Sequence, residues 1–102
     1  MNTKRRYGVK DLERKYGRMT LGMFIRSFRE ADEISQADFA RKMGLSRANL
    51  CDIEKGRKLV GLTRAADIAK DLGVPEKVLI QLALQDTLRV SKLGYQIELK
   101  AS

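Results

Sequence analysis

Apolar residues first line up along this chain at Leu21, Phe24, Ile25 and Phe28, positions i, i+3, i+4 and i+7. That spacing lays one apolar stripe along a helix, and Thr20 ahead of it carries the hydroxyl of an N-cap. The stripe gives way to the stretch EADE, Glu30 to Glu33, whose polar residues precede Ile34, so the first helix ends there. Ile34 and Ser35 open a second helix: the Ser35 hydroxyl can accept from the Asp38 backbone N–H, while Ile34 and Phe39 close a hydrophobic staple around the cap. Phe39, Ala40 and Met43 form its buried side, and Gly44 supplies a left-handed stop. The same arrangement repeats at once, with Leu45 before the cap, Ser46 as the cap, Leu50 as the staple partner and Gly56 as the stop. Leu50 and Ile53 face inward.

Farther along, Ala65, Ile68, Ala69 and Leu72 make a fourth stripe that ends at Gly73, and Pro75 suits the first position of a fifth helix running to about Leu88. Val78, Leu79, Ile80, Leu82, Ala83, Leu84 and Leu88 wrap more than one face of that helix, which makes it either a central core helix or a surface shared with a second subunit. Beyond it, Leu93, Tyr95, Ile97 and Leu99 alternate with polar residues at the period of a strand, and no second strand is evident to pair with them. Such a segment pairs with a partner chain or stays a tail. The chain thus divides into a basic N-terminal extension over residues 1–19, a helical domain over 20–88 and a C-terminal strand-like tail over 89–102. In the extension Lys4, Arg5, Arg6, Lys10, Arg14, Lys15 and Arg18 outnumber Asp11 and Glu13, and Val9, Leu12 and Tyr16 suit a short helix.

The second and third helices, joined by the tight turn at Gly44, form a helix-turn-helix in which the small Ala40 lets them cross closely. Such a unit offers the amino end of its second helix to the major groove of double-stranded DNA, while its first helix lies over the phosphate backbone. With Leu50 and Ile53 inward, Arg47, Ala48, Cys51 and Asp52 point outward and Asn49 lies on the flank. Arg47 can pair bidentately with guanine, Ala48 can meet a thymine methyl, and Asp52 can accept from the amino group of cytosine. The candidate base contacts are therefore Arg47, Ala48, Asn49 and Asp52. Asp52 has a second reading as a brake on non-specific binding, because an exposed acid repels phosphate. Gln36 in the first turn of the second helix, Ser46 at the cap of the third, and Lys55, Arg57 and Lys58 just past it are the candidate phosphate contacts. Glu54 reads as a local partner that holds Arg57 or a helix end, and Cys51 as a tolerated small residue. The candidate dimer interface takes Val78, Leu82, Leu84 and Leu88 from the fifth helix, with Tyr95 and Ile97 from the tail.

Charge points to the same kind of partner. Lysine and arginine number 21 against 13 acidic residues, giving a net charge of +8 and a pI near 9.9, the balance of a chain that meets a polyanion. The absence of histidine removes the commonest general base and metal ligand, and the single cysteine cannot close an intramolecular disulfide. No nucleophile pair, phosphate-binding glycine loop or paired buried carboxylates can be assembled into a catalytic site. These features predict a cytoplasmic, metal-free protein without cofactor or catalytic activity. No stretch of about 18 apolar residues is present to cross a bilayer, and the basic amino end lacks a secretory signal.

The stretch ISQADFARKMGLSRANLCDIEKGRK, Ile34 to Lys58, resembles the helix-turn-helix of the Xre, Cro and C1-repressor-like family, matching it at Ser35, Gln36, Ala40, Gly44, Ser46, Ile53, Glu54 and Gly56. The resemblance covers about residues 20–74. It implies an all-α, five-helix, lambda-repressor-like domain with Gln36 on a phosphate and with Arg47, Ala48 and Asp52 facing bases. Where the family often has a proline after the recognition helix, this chain reads KLVGL, so the following loop is differently shaped. The basic lead-in and the tail lie outside the common core and resemble those of small regulators linked to mobile elements, or of antitoxins that couple this fold to a toxin-binding tail. The first functional reading is a homodimeric, sequence-specific repressor on half-sites about one helical turn, roughly 34 Å, apart. An alternative is an antitoxin that represses its own operon and binds a toxin through its C-terminal region. A sequence-indifferent nucleic-acid binder differs from both, since it would keep its affinity after Arg47→Ala apart from a modest charge effect.

Overall fold

The computed structural model describes residues 19–95, 97, 99 and 100; the basic extension before Met19, with the short helix expected around Val9, Leu12 and Tyr16, lies outside the described residues. Five helices follow one another within them: α1 (Leu21–Ala31), α2 (Gln36–Lys42), α3 (Arg47–Glu54), α4 (Leu62–Leu72) and α5 (Glu76–Val90). Three begin at the hydroxyl caps that the sequence predicts. Thr20 Oγ1 accepts from the Met23 N–H at 3.0 Å, Ser35 Oγ from Asp38 at 3.1 Å and Ser46 Oγ from Asn49 at 3.0 Å. Each bond satisfies one of the amide groups that a helix start leaves without an intrahelical acceptor. Pro75 departs from expectation by one position: with ψ of 134° it is the extended cap residue, and Glu76 is the first residue of α5.

The helices α2 and α3 pack as a pair, α4 and α5 lie along each other, and α1 bridges the two pairs by touching α3 and α5. Their buried stripes meet in one core that includes Met19, Leu21, Ile25, Phe39, Leu50, Ile68 and Leu79. The broad apolar surface of α5 resolves into an inner side of Leu79, Leu82 and Ala83 and a half-buried side that includes Leu84 and Leu88. Leu82 is only 3% exposed. It was a candidate for the dimer interface, and its burial against its own domain removes it from that set.

Two buried polar residues of α5 fasten the two ends of the domain. Asp86 Oδ2 accepts the Leu21 backbone N–H at 3.1 Å, a tertiary cap on the first turn of α1, while its Oδ1 takes Arg89 Nη1 at 3.0 Å. The neighbouring Gln85 donates its side-chain amide to the Tyr95 carbonyl at 2.7 Å and accepts from the Ile97 N–H at 2.9 Å. One carboxamide thus presents to the tail the donor and acceptor of a strand edge. The described tail residues form no strand, so its alternating pattern is met by a side chain in place of a second strand.

Asp86→Ala should lower stability by about 1–3 kcal/mol, the cost of leaving a buried backbone N–H unsatisfied. Asp86→Asn, which keeps an acceptor, should lose less. Urea denaturation with an unchanged m-value checks both, and equal losses in the two variants would contradict the capping role.

Candidate nucleic-acid interface

The turn between α2 and α3 is closed by backbone bonds from Gly44 N to Arg41 O at 3.2 Å and from Leu45 N to Ala40 O at 2.8 Å, with Gly44 at φ +69°. This is the left-handed helix stop for which glycine carries no steric penalty. Arg64 of α4 adds a third closure by donating from Nη2 to the Met43 carbonyl at 2.7 Å. Its positive charge also faces the negative end of α2. Sequence reading missed Arg64, because its acceptor lies in another helix.

Glu54 fixes how α3 sits on the rest of the domain. Its carboxylate receives Arg29 of α1 through both oxygens, Nε to Oε2 at 2.8 Å and Nη2 to Oε1 at 3.1 Å, and receives Gln36 Nε2 of α2 at 3.0 Å. Arg29 also donates from Nη1 to the Ile34 carbonyl at 2.8 Å. Three helices and the loop between α1 and α2 therefore converge on one buried acid. The hydrogen bond to Glu54 holds the Arg29 pKa above its ordinary value, against the opposing effect of partial burial. Of the two partners expected for Glu54, Arg57 and a helix end, the first is corrected and the second found: Arg57 pairs with Asp52, while Glu54, on the inward face with Leu50, holds Gln36 at the start of α2.

Gln36 uses one amide hydrogen on Glu54, and no other hydrogen bond of its carboxamide is formed among the described residues. The second amide hydrogen stays open at the start of α2. Arg47 and Ala48 are exposed at the first turn of α3, and Arg47 has no side-chain partner among the described residues. Asn49, Cys51 and Asp52 are half-buried on the outer side of the same helix. The four candidate base contacts thus share the outward side of α3, with Ser46 directly before them as its cap.

The cations after α3 are arranged differently from expectation. Lys55 is exposed and without a side-chain partner among the described residues, whereas Arg57 Nη1 lies 3.1 Å from Asp52 Oδ1 and Lys58 Nζ lies 3.2 Å from Asn49 Oδ1. Two candidate phosphate contacts are therefore engaged by two candidate base contacts. The loop then exposes Leu59, buries Val60 and exposes Leu62 at the start of α4.

Of the remaining interface candidates, Val78 packs partly on its own core, Leu84 and Leu88 are half-buried, and Tyr95 is 68% exposed. Ile97 is half-buried and tied to Gln85. Val90, which sequence reading missed, is exposed at the end of α5, and Leu93 of the alternating tail pattern is exposed just beyond it. No helix among the described residues is long and apolar enough to cross a membrane.

A family model described as helix-turn-helix matches residues 25–79, from within α1 into α5. No curated protein and no solved structure gives a significant match. The matched span is more than half of the chain and contains the capped α2, the glycine turn, α3 and the acid that locks them to α1. The chain therefore belongs to the helix-turn-helix family of the Xre, Cro and C1-repressor type, whose domain is a DNA-binding transcription regulator.

Proposed function

We propose that this protein is a dimeric, sequence-specific transcriptional repressor that reads the major groove of double-stranded DNA with α3. The observation that carries this reading is the open, exposed pair Arg47 and Ala48 at the amino end of a helix whose other face is locked by the Arg29–Glu54–Gln36 network. Recognition needs base-reading side chains held in a fixed register, and phosphate contacts supply that register. Gln36 and Ser46 at one end of the unit and Lys55, Arg57 and Lys58 at the other take that role. Asn49 and Asp52 complete the base contacts.

Dimerisation is supported by the apolar surface that Leu84, Leu88, Val90, Leu93 and Tyr95 offer at the end of α5 and the start of the tail. Val90, Leu93 and Tyr95 are exposed there, and exposed apolar side chains of this kind support a role in protein interaction. Two copies joined there would read a two-fold symmetric site. The antitoxin alternative assigns the same surface to a different protein.

The test is selection of bound duplexes from a random DNA pool at physiological salt, with Arg47→Ala run in parallel. The expected product is a two-fold symmetric motif that Arg47→Ala blurs at one position per half-site, a loss of about 1–3 kcal/mol of discrimination. A single unrepeated half-site would overturn the dimer. Recovery of no motif would overturn sequence-specific reading altogether.

A further inference from the structure

Arg57 and Lys58 both fold against the outer side of α3, so neither is open in the free protein. After Glu54 the chain reverses at Gly56, which has φ +78°, and Arg57 N donates to the Asp52 carbonyl at 2.8 Å while Gly56 N donates to Ile53 O at 3.1 Å. This backbone closure lays the loop back along the helix it has just left. The Arg57 guanidinium then meets Asp52 Oδ1 at 3.1 Å, and the Lys58 ammonium meets Asn49 Oδ1 at 3.2 Å. Asn49 and Asp52 are three residues apart, so both acceptors stand on one side of α3.

We propose that Asn49 and Asp52 cage Lys58 and Arg57 until a matching base pair takes their place, so that reading the base releases the phosphate clamp. This rests on α3 being the reading helix. The side chain that holds each cation is also the one that would take a base amino group: Asn49, whose Oδ1 holds Lys58, from adenine, and Asp52, whose carboxylate holds Arg57 through Oδ1, from cytosine. A side chain turned toward such a base leaves its cation free for a phosphate. On a non-matching duplex neither acceptor finds a donor, and both cations stay engaged within the protein. Non-specific affinity is thereby held down, and the two readings of Asp52, base contact and brake, become two states of one residue.

Counterion release makes the cage measurable. Each cation that reaches a phosphate adds about 0.9 to the slope of log affinity against log salt on duplex DNA. The full chain should therefore show a steeper slope on its selected duplex than on random duplexes, by up to roughly 1.8 for two cations. Asn49→Ala alters no charge but opens the cage on Lys58. It should raise the random-duplex slope by up to about 0.9, with an affinity gain of up to about fivefold, the scale of an exposed polar pair. Asp52→Ala should do the same for Arg57, beyond the effect of Asp71→Ala, which removes an equal charge from an exposed position on α4. Equal wild-type slopes on the two kinds of duplex overturn the cage, as does an unchanged random-duplex slope in Asn49→Ala. If selection yields a motif but the slopes run parallel, α3 is a reading helix without a cage; if selection yields no motif, the reading and the cage fall together.

Discussion

Glu54→Ala should lower the unfolding free energy by about 3–5 kcal/mol, the loss typical of breaking a buried ion pair from one side. The side chains of Arg29 and Glu54 are 12% and 2% exposed. Removing the carboxylate takes from the Arg29 guanidinium two of its three hydrogen bonds, leaving only the one to the Ile34 carbonyl, and unpairs the Gln36 amide. A domain of this size has a total stability of about 5–15 kcal/mol, so the variant should have a much lower denaturation midpoint in urea. The double variant Arg29→Met with Glu54→Leu separates the cost of an orphaned charge from the worth of the pair. Replacing both partners with apolar groups should restore most of the stability, because desolvating two charges cancels most of what their attraction contributes. It should not restore full DNA affinity, since Gln36 then has no acceptor to orient it at the start of α2. A loss below about 1 kcal/mol in Glu54→Ala would mean that the pair behaves as a solvated one.

What could be read from the sequence was local, and what could not was tertiary. Ser35 and Ser46 are caps because a hydroxyl reaches an amide three residues on, a distance that sequence fixes by itself. The outward set on α3 was legible for the same reason: once Leu50 and Ile53 are inward, the helical period leaves Arg47 and Ala48 outside. Glu54 read only as a local partner, because Arg29 is 25 residues upstream and meets it only where α1 crosses α3. Asp86 and Leu21 are 65 residues apart and meet in the same way. On α5, apolar residues on several faces could not distinguish the core side, where Leu82 lies, from the half-buried side with Leu84 and Leu88. In the tail the alternation of Leu93, Tyr95, Ile97 and Leu99 suggests a strand, whereas the described residues form none and the partner is a single side chain, Gln85, which a backbone pattern does not reveal. The folding back of Arg57 and Lys58 depends on the turn after Gly56, whose direction a sequence of charges does not encode.

The crossing of α1 over α3 is tightest at Gly22, and Gly22→Ala tests it most directly. A Cβ built there would lie 2.0 Å from the Ile53 carbonyl oxygen and 2.9 Å from that of Glu54. Both atoms are backbone at the end of α3, so no rotamer change can move them aside. Inside a helix, alanine is favoured over glycine by about 1 kcal/mol. Propensity alone therefore predicts a gain in stability, and steric overlap predicts a loss. Overpacking of a filled interior costs about 1–3 kcal/mol and sometimes more, and an overlap against backbone belongs at the upper end. The net expectation is a loss of about 2 kcal/mol in urea denaturation. Gly61→Ala is the control for steric overlap, since a Cβ at Gly61 meets nothing within 4 Å and its φ is −71°; Gly61 caps α4, so this change should cost no more than about 1 kcal/mol. The functional consequence follows from the same geometry. Relief of the overlap requires α1 and the end of α3 to separate, which stretches the Arg29–Glu54 pair on that crossing and shifts α3 relative to the proposed phosphate contact Gln36 on α2. Affinity for a selected duplex should then fall more than affinity for a random one, because base contacts depend on register more than phosphate contacts do. A Gly22→Ala protein that gains about 1 kcal/mol would follow helix propensity alone, and would mean that α1 and α3 do not approach this closely in solution.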